Sequence, residues 1–257
     1  MIEVTSLRKI YKLNKKDMKK RGEQVKTKIA VDDISFIAKP GQIFGLLGPN
    51  GAGKTTTLRC IATLLKPTSG AVNVAGFNTS KEPEAVRQRL AFLTNELKLE
   101  GHFTPKYTMT YFGKLYRMKT EEIEARKNIL FEYFGIDSFE NVKISDLSTG
   151  MKQKLSIAVS LIHDPEIVVF DEPTNGLDII TAKAVTDYLL ALKEQGKTII
   201  ISTHIMTFAE KFCDNLAIIL GGKIVATGSV EEILITQASE DLEDAFFKLY
   251  LANTPEV

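Results

Sequence analysis

One stretch constrains the fold more than any other: Gly48, Pro49, Asn50, Gly51, Ala52, Gly53, Lys54 and Thr55 in succession, between an apolar run over 43–47 and a helix-like run over 56–65. The spacing fits the P-loop pattern. Its glycines let the backbone curl so that N–H groups point at phosphate oxygens, Lys54 reaches the β- and γ-phosphates, and Thr55 offers a hydroxyl to Mg²⁺. A strand before and a helix after are the context the motif needs, because a helix N-terminus favours negative charge. The stretch, counted together with Thr56 behind it, predicts a nucleoside triphosphate site.

The rest of the chain alternates strand-like and helix-like segments around that loop. Residues 2–7 alternate apolar and polar side chains as an edge strand does, 30–38 form a second strand, and Pro40-Gly41 turns into the strand over 42–47. Beyond the loop, strands are predicted over 71–76 and 90–93, with a short helix over 84–89 between them. From 104 to 134 apolar residues recur at helical spacing, as a mostly helical insert. Continuous apolar runs at 167–170 and 198–202 read as strands buried on both faces of a parallel sheet. A helix over 181–195, one over 207–212, a hairpin through 215–227 and an acidic helical tail follow. The predicted class is α/β, a P-loop core with a mainly parallel sheet, an N-terminal antiparallel portion and a helical insert. A single domain over 1–257 is expected, holding a helical subdomain over about 96–163 and a helical tail over 229–257.

Bulk properties exclude more than they name. A formal net charge of +1, with 44% hydrophobic and 25% charged residues, gives no global case for nucleic acid. Charge is uneven, however. Lys9, Lys12, Lys15, Lys16, Lys19, Lys20, Arg21, Lys26 and Lys28 crowd the stretch 8–28 against only Asp17 and Glu23, which reads as a solvated loop or a basic contact surface. Within it Asn14-Lys15-Lys16-Asp17 matches a guanine-reading pattern by coincidence, since it precedes the P-loop. The chain shows no secretory leader pattern and no long uncharged apolar stretch, so a cytoplasmic place is expected. Cys60 and Cys213 stand far apart and read as reduced thiols.

Further motifs complete the chemistry. Asp171, ending the apolar strand, is placed to help hold Mg²⁺ opposite Thr55, and Glu172 after it to polarise an attacking water. His204 ends a neighbouring strand on the same ligand-binding edge. Leu147-Ser148-Thr149-Gly150-Met151-Lys152-Gln153-Lys154 opens another helix, with Ser148 or Thr149 as its N-cap, and so makes a second helix N-terminus suited to phosphate.

In this order the motifs resemble the ATP-binding subunit of ABC transporters over about residues 2–230. The resemblance implies a P-loop at 48–55, a Q-loop at Asn95, a signature at Ser148, Thr149, Gly150 and Met151, an acidic strand end at Asp171 and Glu172, a D-loop at Gly176-Leu177-Asp178 and an H-loop at His204. It also implies that Tyr11 stacks on adenine. Two positions depart from the family: Asn95 stands where a glutamine is usual, one methylene short for a Mg²⁺ or water contact, and LSTGM replaces LSGGQ. With Leu64-Leu65-Lys66-Pro67-Thr68-Ser69-Gly70, these variations look similar to ABC-2-type exporters, particularly the bacterial sodium-extrusion system.

What the resemblance implies is an ATPase with two subunits facing head to tail, each ATP lying between one chain's 48–55 loop and the other's 148–151 helix start. A membrane-spanning permease is the further partner, the chain sitting on the cytoplasmic face of the membrane through it. Phe103, Tyr107, Tyr111 and Phe112 are candidate permease contacts or, equally, core aromatics of the insert. The alternative is a soluble ATPase of the same kind acting on nucleic acid or the ribosome. The 117 positions from Lys54 to Asp171 hold no heptad run of the kind DNA-repair members carry, so no nucleic acid is expected.

Overall fold

Three continuous apolar runs become adjacent strands at the centre of the molecule. The computed structural model describes residues 1–12, 27–94 and 99–253. Most of the lysine-rich stretch, the 14–17 pattern, Asn95 and the last four residues of the tail lie outside them. Strands β1 (Ile2–Lys12) and β2 (Thr27–Ala38) precede β3 (Gln42–Leu47), which leads through the loop into helix α1 (Lys54–Ile61). Then come β4 (Ser69–Val74), β5 (Phe77–Asn78), α2 (Pro83–Arg89), β6 (Leu90–Leu93), α3 (Pro105–Leu115) and α4 (Thr120–Phe134). The remainder is α5 (Thr149–Ser160), β7 (Ile167–Asp171), α6 (Ile179–Glu194), β8 (Thr198–Thr203), α7 (Met206–Phe212), β9 (Asn215–Leu220), β10 (Lys223–Gly228), α8 (Val230–Gln237) and α9 (Leu242–Asn253).

The larger sheet has the order β10-β9-β3-β8-β7-β6 and is parallel except for β10. Side chains alternate across a strand, so each apolar run supplies both faces. Val168 and Phe170 of β7, with Ile199 and Ile201 of β8, pack into one cluster with α5, α6 and the helical insert. Ile167, Val169 and Ile200 face the other way, into a second cluster closed by α1 and the antiparallel sheet β2-β1-β4-β5.

β1 is not the edge strand that its alternation predicts: it pairs with β2 on one side and β4 on the other. Alternation reports that Ile2, Val4 and Leu7 are buried on one face, and carries no count of neighbours. α1 stops at Ile61, short of the expected 65. Thr63 takes φ 63 and the Leu64 N–H bonds the Arg59 carbonyl at 2.9 Å, a left-handed helix ending made without glycine. The tail is two helices, broken at Ala238 with φ 49. α3 and α4 cross at Gly113, where a Cβ would lie 2.6 Å from Ile123 Cγ1.

Candidate functional site

The loop delivered by β3 is shaped by contacts only glycine allows. Gly53 has φ 114, and a Cβ there would stand 2.5 Å from the Ala30 carbonyl oxygen; at Gly48 it would meet the Ile219 carbonyl oxygen at 2.3 Å. Ala52 is buried beneath the loop, its carbonyl accepting from Gly222 N–H at 3.0 Å. The loop thus curls over the carboxyl ends of β3 and β9, the edge at which open parallel sheets bind ligands.

Lys54, 5% exposed, donates from Nζ to the carbonyls of Gly48 at 2.6 Å and Pro49 at 3.2 Å, and lies 3.5 Å from Glu172 Oε1. Burial pulls its pKa below the ordinary lysine value, while the charge of Glu172 and a hydrogen bond to it push back. An ammonium surrounded by loop carbonyls beside one carboxylate is poised for a stronger anion. Thr55 Oγ1 donates to Asp171 Oδ1 at 3.2 Å. These are hard oxygen donors, suited to a small divalent cation that keeps waters and phosphates as its other ligands. Among the described residues no group of three His, Cys, Asp or Glu side chains is gathered for a metal.

Glu172 follows β7 with φ 54, unusual for a residue with a Cβ. Its N–H donates to the Ser202 carbonyl at 3.2 Å and to Ser202 Oγ at 3.0 Å. Its other carboxylate oxygen, Oε2, faces His204 Nδ1 at 2.9 Å. The structure therefore gathers Lys54, Thr55, Asp171, Glu172 and His204 at one edge. Tyr11, Pro49, Asn50, Gly51 and Thr56 line the same cleft, together with Lys28 and Ala30. Sequence reasoning named neither Lys28 nor Ser202 for the site. Lys28 is set there because it pairs with Tyr11 across β1 and β2, a register that local sequence does not display.

The second helix start stands apart. Ser148 is the N-cap of α5, accepting from Met151 N–H at 3.2 Å. Asp178 caps α6 by accepting from Ile180 N–H and Thr181 N–H at 3.0 Å each and from Thr181 Oγ1 at 2.7 Å, which holds its pKa below the usual carboxylate value. A Cβ on Gly150 would stand 3.4 Å from Asp178 Oδ2. Thr149 also lines a second cleft with Lys152, Gln153 and Leu177. Ser148, Thr149, Gly150, Met151 and Asp178 are thus drawn near one another, and none of them lines the P-loop cleft of its own chain.

Fold and site together define a P-loop ATPase. Residues 31–175 match the sequence family described as ABC transporter. The ABC transporter ATP-binding protein NatA of Bacillus subtilis (strain 168) is 42% identical over 218 residues, 84% of this chain and 89% of the relative. The Nod factor export ATP-binding protein I of Rhizobium leguminosarum bv. viciae is 37% identical over 210 residues, 82% of this chain and 68% of the relative. Among solved structures, the ATP-binding subunit of an ABC transporter superposes with a TM-score of 0.85 at 26% identity, covering 97% of this chain and 99% of that one. A dimeric ATP-binding cassette in a post-hydrolysis state with ADP and Pi bound gives 0.77 at 26% identity, covering 89% and 98%. The chain belongs to the ABC transporter family, as an ATP-binding subunit that hydrolyses ATP. Among the described residues no helix is long and apolar enough to cross a membrane.

Proposed function

We propose that the chain is the motor of an ABC-2-type exporter, with two copies closing head to tail around two ATP molecules and Mg²⁺ and with a membrane-spanning permease as the other subunit. The observation that carries this reading is the separation of two half-sites: one is the P-loop cleft beside the carboxylates, and the other, the α5 start at Ser148–Met151, does not line that cleft. Two chains facing head to tail would bring unlike halves together. That the similar solved cassette is dimeric and one similar protein is named for export supports it.

In this reading Glu172 is the general base, His204 orients it, and Tyr11 receives adenine. Thr55 and Asp171, with Asn95, would hold Mg²⁺, which supplies charge neutralisation at the phosphates when bound. The loop N–H groups and Lys54 bind the β- and γ-phosphates. Ser148, Thr149, Gly150, Met151 and Asp178 serve the γ-phosphate held by the other copy. Phe103 and Phe112 pack against the core, whereas Tyr107 and Tyr111 are about half exposed with ring centroids 6.4 Å apart. Of the four aromatics, these two remain as permease contacts, on the cytoplasmic face of the membrane.

The sodium-extrusion likeness of the 64–70 stretch and the LSTGM signature points to Na⁺ as cargo. Co-purification of the tagged chain with a membrane protein, followed by ATP-driven Na⁺ movement in vesicles carrying both, tests the whole reading. Capture of a membrane partner without Na⁺ movement would remove the cargo alone. Retention of nucleic acid on a filter, with no membrane partner, would remove the transporter role.

A further inference from the structure

The hydroxyl of Ser202 touches both acidic residues of the site, and no role for it follows from the motif order. Ser202 lies in β8, fully buried, directly opposite Asp171 in the parallel register with β7. Its Oγ–H donates to Asp171 Oδ1, and its Oγ accepts from Glu172 N–H at 3.0 Å. A hydroxyl offers one proton and two lone pairs, so the two bonds do not compete. Asp171 Oδ1 is also the atom that receives Thr55 Oγ1. Glu172, in turn, occupies the left-handed region at φ 54, where a side chain persists only if its surroundings hold it.

We infer that Ser202 is a positioning residue for ATP hydrolysis: its single hydroxyl fixes the rotation of the Asp171 carboxylate and pins the Glu172 backbone in the turn that aims its side chain between Lys54 and His204. The inference rests on the roles proposed above for Asp171 and Glu172. Without the hydroxyl, of the bonds described, Asp171 Oδ1 keeps the one from Thr55 and Glu172 N–H keeps the one to the Ser202 carbonyl. The carboxylate can then rotate, and the base is freer to leave its aim. Nucleotide contacts made by the loop are untouched.

The test uses the full chain with Ser202→Ala, Ser202→Cys and Ser202→Thr, and reads Mn²⁺ retained with ADP by electron paramagnetic resonance beside ATP turnover and melting temperature. In Ser202→Ala, kcat falls about 10- to 100-fold and Mn²⁺ retention weakens about tenfold, while ADP affinity in chelator stays within about twofold. Ser202→Cys keeps the volume with a poor donor and behaves as Ser202→Ala, whereas Ser202→Thr recovers activity to within about threefold. Wild-type kcat and Mn²⁺ retention in Ser202→Ala and Ser202→Cys would overturn the inference, as would a Ser202→Thr that melts normally yet is as impaired as the alanine variant. Asp171→Asn separates the inference from its basis. If that variant retains Mn²⁺ normally, the metal reading of Asp171 fails together with the role of Ser202; if it loses Mn²⁺ while Ser202→Ala does not, only the role of Ser202 fails.

Discussion

Lys54 shows at the scale of one residue what the loop is built for. A buried ammonium is costly unless paired, and its partners here are two loop carbonyls and the edge of one carboxylate. Phosphate oxygens can replace the carbonyls with charge-assisted bonds, each worth about 1.5–3 kcal/mol. Lys54→Ala removes that gain and leaves the fold intact, since the loop's shape rests on Gly48, Gly53 and the backbone around them. The expected outcome is a 10- to 100-fold loss of ATP affinity, the equivalent of about 1.4 to 2.8 kcal/mol. Titration with a fluorescent nucleotide analogue checks it, and an unchanged affinity would count against the phosphate reading of the loop.

The turn between α5 and β7 acts at the scale of elements, because it ties the helical insert to the sheet. Asp164, with φ 51, receives Arg126 Nη2 of α4 at 3.1 Å and Lys197 Nζ, just before β8, at 2.7 Å. Burial alone would raise its pKa, but the Lys197 bond and the charge of Arg126 hold it below the usual value. Beside it the His163 ring stacks on Tyr116 at 3.7 Å, and burial pushes its pKa down to about 4, with Lys197 and Arg126 adding to the drop while Asp164 and the Leu90 backbone oppose it. The unfolded chain takes up this proton near pH 6.5 and the folded chain near 4. The His163 contribution is therefore intact above about pH 6.5 and is lost as the pH falls towards 4, about 2 kcal/mol of it between pH 7 and 5. Melting curves over that range should show the loss, and His163→Gln should flatten it. Elements of this kind mark how far the sequence is legible. β3, β7 and β8 could be read because a strand buried on both faces is apolar throughout, and the P-loop, Asp171-Glu172 and His204 because their chemistry sits in consecutive residues. The neighbours of β1 and the placement of Ser202 and Lys28 depend on contacts between segments far apart in sequence, which no local pattern records, and the ending at Thr63 lacks the glycine that usually marks a left-handed cap.

For the whole molecule, the proposed head-to-tail pairing of the two half-sites would make ATP binding an association reaction between chains. Ser148 to Met151 stand at the start of α5, yet the P-loop cleft of the same chain does not include them. A γ-phosphate at Lys54 would complete the site only against the α5 start of a second copy, and its removal by hydrolysis would weaken that contact. In the base role proposed for Glu172, Glu172→Gln keeps the size and shape of the side chain without its proton affinity, so hydrolysis should fall at least about a hundredfold while ATP still binds. The complex should then accumulate as a dimer, seen as a doubled mass by light scattering with ATP and not with ADP. Adding Ser148→Arg places a bulky side chain at the α5 start, remote from the P-loop cleft. The double variant should bind ATP as the single one does and remain a monomer, whereas a dimer that survives this substitution would show that the chains meet through another surface.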